Sequence, residues 1–384
     1  MEETKKRKIR IKAFCSRFWK QILGVVLFII VAIGVVFYVY RYMEYNYVQV
    51  VKTYENQSTH GGSYAPYADG VLEYSRDGIA MLTEEGEELW NQPCQMGSPV
   101  VEVCKDTAAV ADKGGTSIFV FQKNGLKGEI QTTRPIEKIT VSAQGIVAAI
   151  LQDEKTPRVM CYDAKGNILV EHKASLTSTG YPVDLAISQD GNVLLVSYLC
   201  VKGSGVATRA VYYHFGQAGE DKTDHQVAQK EYGDMIVPTV VFLNKNTSLL
   251  VSDRSLIFYK GLEEPKESQV IELDKEIKSI SYNDNHIALV LKNVGEAGDE
   301  LRLYRLDGKQ IMNAEIEGEY ANIKISKGQV LLYEESKCAI FNASGVRKYE
   351  GTMEMNVMDM FPMAGLNKYM VISANGFQEI QLAK

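Results

Sequence analysis

The sequence predicts an all-β protein, a β-propeller of eight blades with seven as the alternative, preceded by one transmembrane helix. Three observations carry that reading. Beyond residue 70 the chain reads as short strands broken by turns, with no amphipathic helix of three turns or more. A unit of four such strands recurs at roughly forty residues, the spacing of propeller blades. Ahead of it, residues 22–40 run without a single charge.

The clearest unit is 136–172, with strands at 136–142, 146–151, 158–163 and 168–172. A strand followed by a turn ending in glycine recurs at Gly86, Gly125, Gly166, Gly308 and Gly345, separated by 39, 41, 142 and 37 residues. Glycine suits these turns because tight hairpins need a positive φ. The long gap fits three steps of about 47, so two units within it, 182–232 and 236–273, have lost the mark. First strands then start near Val100, Ile136, Val183, Val237, Ile277, Ala321 and Val357. Before them stands 71–91, three strands with a degraded first one. After Val357 come only 368–374 and 377–382, so the last blade needs a strand from near the N-terminus, either 46–54 or 71–74. Such a closure ties the ring together and removes an exposed edge. One polar insertion, 216–230, lies inside the fourth unit, as a surface loop or a functional one.

Four segments follow: a basic cytoplasmic tail (1–21), a transmembrane signal anchor (22–40), a stalk (41–69) and an extracytoplasmic propeller (70–384). Nineteen helical residues span roughly 28 Å, close to the hydrocarbon thickness of a bilayer. Trp19 flanks one end and Tyr38, Tyr40 and Tyr42 the other, where interfacial rings are favoured. Basic residues crowd the N-terminal side, which the positive-inside rule places in the cytoplasm. The exit from the apolar run lacks the small residues of a cleavage site, so the anchor is retained.

Charge is split accordingly. Residues 1–42 hold nine Lys or Arg against Glu2 and Glu3, a net +7 that leaves −13 for the remainder of a chain whose total is −6. A body that acidic makes nucleic acid a poor partner. The six cysteines are scattered and lack CxxC spacing, which argues against a disulfide framework or a zinc site and leaves one bridge, such as Cys94 to Cys104, open.

The run 77–82 (DGIAML) followed by 86–90 (GEELW) resembles a blade of the quinoprotein-like propellers, which include the lipoprotein scaffold of the outer-membrane assembly machinery; that pattern's tryptophan occurs once here, at Trp90. Over most of its length the chain is similar to a family of single-pass envelope proteins of Gram-positive bacteria with a propeller ectodomain. Residues 110–115, 128–132 and 188–191 carry that likeness. The resemblance implies fold and location, and no activity.

No catalytic, cofactor-binding or metal-binding set emerges, and no cofactor is expected. A quinone enzyme needs stacked tryptophans, and only Trp19 and Trp90 exist. The five histidines lack metal-ligand spacing, and no nucleophile elbow or phosphate loop occurs. One constellation is of interest: turns between second and third strands carry Asp77, Asp112, Asp153 and Asp253, with Arg254 beside the last. These residues either rim the propeller mouth, for a cation, sugar hydroxyls or a basic segment, or cap their own turns. The expected function is binding or scaffolding of an envelope protein or a cell-wall polymer, with membrane lipid held by the anchor. The alternative is an extracytoplasmic glycan hydrolase or lyase acting in the central mouth, which needs two nearby carboxylates. Sensing across the membrane is disfavoured by the short tail.

Overall fold

The computed structural model describes residues 42–55, 62–153, 156–175, 178–203, 205–293, 298–374 and 376–384, together with 19, 23–35, 38 and 295. Eight four-stranded antiparallel sheets follow one another around a ring. Blades 1 to 7 occupy residues 63–93, 99–131, 136–173, 181–233, 239–272, 277–316 and 322–352, each with its strands in sequence order. Blade 8 takes three strands from 359–383 and its outermost one from Tyr47–Glu55. The eight-blade expectation holds, and seven is excluded.

Each first strand from blade 2 to blade 8 starts within two residues of the position expected from the repeat. The five glycines that marked the repeat all have positive φ, between 76° and 117°. Their place after the third strand is a hairpin that an L side chain would strain.

The second strands explain why the repeat is so apolar. Val147–Leu151 and Thr247–Val251 are buried at every position, because neighbouring blades cover both faces. The core is accordingly divided into eight clusters, one at each blade interface. The last of these joins Val71, Ala80 and Leu82 of blade 1 to Phe361, Met370, Ile372 and Phe377 of blade 8. The ring is thus closed by packing as well as by a strand.

Closure draws on the stretch expected to be a stalk. Tyr47–Glu55 runs antiparallel to Gly376–Ala383, with Tyr47 opposite Ala383 and Glu55 opposite Gly376. Ser63–Tyr67 supplies the first strand of blade 1, which the sequence reading began too late, at residue 71. The propeller therefore includes most of residues 43–69. Just before the closing strand, the Tyr45 amide donates to the Lys348 carbonyl (2.8 Å), and the Asn367 side-chain amide donates to the Tyr45 hydroxyl.

Two further expectations are refined. The insertion at 216–230 contains a short α-helix, Gln217–Glu220, and a 3-10 turn, Thr223–His225; from Gln226 on it is the fourth strand of blade 4. In the N-terminal segment residues 23–35 are helical. Among the described residues no helix is long and apolar enough to cross a membrane. The expected span 22–40 and tail 1–21 lie partly outside those residues.

Candidate functional site: the central channel

The first strand of every blade is innermost, so the ring's axis is a channel lined by first-strand side chains. These strands carry charges among apolar residues: Glu102, Glu137, Lys138, Asp184, Lys278, Lys324 and Asp359, of which Glu137 accepts from the Tyr181 hydroxyl. Described residues line two cavities in the channel. One, of about 330 Å³, is lined from blades 2 to 6. The other, of about 410 Å³, is lined from blades 1, 2, 7 and 8. Blades 2 and 6 face each other across the ring. Their first hairpins meet there, with Lys105 Nζ 2.5 Å from Asp284 Oδ2.

Most channel charges are paired. Lys138 of blade 3 reaches Asp184 of blade 4 at 2.6 Å, and the Val240 amide of blade 5 donates to the other Asp184 oxygen at 2.7 Å. Burial raises the Asp184 carboxyl above the usual range, an effect that Lys138 and the backbone donors oppose. On the opposite side, Lys324 of blade 7 holds both oxygens of Asp359 in blade 8, at 2.7 and 2.6 Å, and the Tyr333 hydroxyl donates to the same carboxylate at 3.0 Å. Lys278 binds Asp299 at 2.7 Å within blade 6.

Glu102 is the exception. Its side chain is open to channel water, yet blades surround it on every side. Among the described residues it makes no hydrogen bond or ion pair. That enclosure, with the negative charge of Asp184 adding to it and Lys138 opposing it, pushes the carboxyl up to about 7. Tyr282 also faces this cavity, 41% exposed, and its hydroxyl has no bonding partner among the described residues. Enclosure followed by the charges of Glu102 and Asp184 raises that hydroxyl well above its ordinary value.

The five residues expected at the mouth line neither channel cavity. Four of them fasten the link that leads into their own blade. Asp112 accepts from the Gly97 and Ser98 amides at 2.9 and 2.8 Å, Asp153 pairs with Arg134, and Asp253 accepts from the Ile236 amide at 3.4 Å. Arg254 donates to the Asp234 carbonyl at 3.0 Å. Asp77 lies in a shallow pocket between blades 1 and 2. The inner charges that the sequence reading passed over had a legible mark: one charge inside an otherwise apolar first strand, as in 99–104 (PVVEVC) and 181–187 (YPVDLAI).

Cys94, Cys104, Cys161, Cys200 and Cys338 are all free, so the bridge left open above is not formed. Among the described residues no group of three or more His, Cys, Asp or Glu side chains is placed to hold a metal ion.

A family of unknown function (DUF5711) matches residues 41–382. The chain belongs to this family. Among solved structures, that of BamB from Moraxella catarrhalis matches with a TM-score of 0.54 and 11% identity, covering 87% of this chain and 99% of that one. Kluyveromyces lactis Hsv2p matches with a TM-score of 0.50 and 8% identity, over 76% of this chain and 100% of that one. At such identities the likeness is one of fold. No curated protein matches.

Proposed function

We propose that this DUF5711 chain is a binding or scaffolding propeller of the cell envelope, held at the membrane by residues 22–40 with the basic tail in the cytoplasm and the ring outside. The partner is a protein engaged by the face directed away from the bilayer. The observation that carries this reading is where the chain joins the ring. Tyr45 and Leu382 both bond to Asn367, in the first hairpin of blade 8, so the N-terminal segment joins on the face of the first and third hairpins. The second-to-third turns therefore point the other way. There, the hairpin of blade 4, Val193–Lys202 with Gly205–His214, runs past its neighbours and leaves Val201 75% exposed.

A channel-based glycan hydrolase is less well supported. Two carboxylates would have to face one substrate. Asp184 is buried, with one oxygen held by Lys138 and the other by the Val240 amide, and Asp284 is paired with Lys105, which leaves Glu102 as the one acid lining its cavity without a cation among the described residues. Photo-crosslinkers at Val201 and Arg254 on one face, and at Asn124 and Asn246 on the other, test the proposal in intact cells. Discrete protein adducts from the first pair alone are expected; adducts from the second pair alone would overturn it.

A further inference from the structure

We propose that the cavity between blades 2 and 6 binds a small organic cation, a primary ammonium with a short apolar tail, whose charged end sits between the Glu102 carboxylate and the Tyr282 ring. The first argument is charge matching. Five charged residues line this cavity: Glu102, Lys105, Lys138, Asp184 and Asp284. Lys105 is taken by Asp284 and Lys138 by Asp184, which leaves one carboxylate without a cation. An anion would meet Glu102 and no free lysine. A divalent metal would find one free carboxylate where several oxygen ligands are needed.

The second argument is the apolar lining. Tyr282, across the ring on blade 6, and Val103, next to Glu102 on blade 2, are 41% and 37% exposed, inside a channel of a body that buries most of its large apolar side chains. An open aromatic ring beside a lone carboxylate is the chemistry that recognises an alkylammonium group, through cation–π attraction and a charge-assisted hydrogen bond. Size is the third. About 330 Å³ is at the small end for ligand cavities and excludes a folded partner or a polymer.

The site is also proton-linked. Glu102 is faced by Asp184 from blade 4, Lys138 from blade 3, Tyr282 from blade 6 and Tyr74 from blade 1. With its carboxyl at about 7, Glu102 binds a cation only after losing its proton. Affinity therefore rises with pH, by about tenfold per unit below 7, and levels off above it.

The experiment uses the full chain in maltoside micelles, whose headgroup carries no cation, and calorimetric titration with n-butylammonium, butanol and butyrate. Butylammonium is expected to bind at pH 7.5, butanol at least tenfold more weakly, and butyrate not at all. Glu102→Gln lowers butylammonium affinity at least tenfold and leaves butanol unchanged, with circular dichroism confirming the fold. Tyr282→Leu weakens it severalfold. Equal binding of butanol and butylammonium, no butylammonium binding, or undiminished binding to folded Glu102→Gln each overturns the proposal. A variant that does not fold leaves the wild-type pH series decisive, since affinity unchanged between pH 5.5 and 7.5 also overturns it. The inference does not depend on membrane orientation, so either reading can fail alone.

Discussion

At the scale of single residues, the ring is pinned by inner-strand ion pairs whose worth follows their exposure. Lys138 is 42% exposed beside Asp184, whereas Lys324 is 17% exposed beside Asp359. Removing an acid strands its lysine and the other donors it satisfied. Asp359→Ala is therefore expected to cost about 3 kcal/mol and Asp184→Ala about 2 kcal/mol, read by urea denaturation; the reverse order would contradict the assignment. Glu102 works in the opposite sense. Its folded carboxyl is raised to about 7, so the native state binds more protons than the unfolded one between about pH 4 and 7, and stability falls as pH rises through that window. Glu102→Gln should then stabilise the protein at pH 8 by about 1 kcal/mol, a figure discounted for channel water, with no difference below about pH 4. A stability gain unchanged between pH 4 and 8 would refute this. These residues were hard to find in the sequence because Glu102 and Asp184 are distant along the chain and come to line one cavity only once the ring is closed.

At the scale of elements, the closing strand governs integrity. Tyr47–Glu55 is largely exposed, and its contribution is the backbone ladder it makes with Gly376–Ala383. A chain beginning at residue 62 would leave blade 8 with a bare edge, ready to pair with other chains. Such a chain is expected to self-associate in size-exclusion chromatography, and a synthetic 43–55 peptide to restore the monomer by strand addition. A truncated chain that elutes as a stable monomer without the peptide would contradict this role. The sequence made 46–54 a candidate for closure because it alternates, though weakly. It hid Ser63–Tyr67, a short inner strand containing Pro66 and following Gly61 and Gly62, which lacks the apolar run that marks other blade strands. Blade 3 was legible to within a residue per strand boundary because its turns are short and its two middle strands are almost wholly buried.

At the scale of the whole molecule, the two faces are unequal. One receives the N-terminal segment at Asn367 and has the Lys105–Asp284 pair between opposed hairpins; the other carries the long hairpin of blade 4. The proposed anchor would turn the first face to the bilayer and leave the second to meet partners. The blade count was readable because the repeat is periodic. The division between faces was not, since it depends on how the first strand joins the last. The most direct measurement places cysteine at position 201 and treats whole cells with a membrane-impermeant maleimide. Labelling of Val201→Cys in intact cells, with Cys15 in the tail reached only after permeabilisation, is the predicted result. A cysteine at 201 that labels only after permeabilisation would contradict the account.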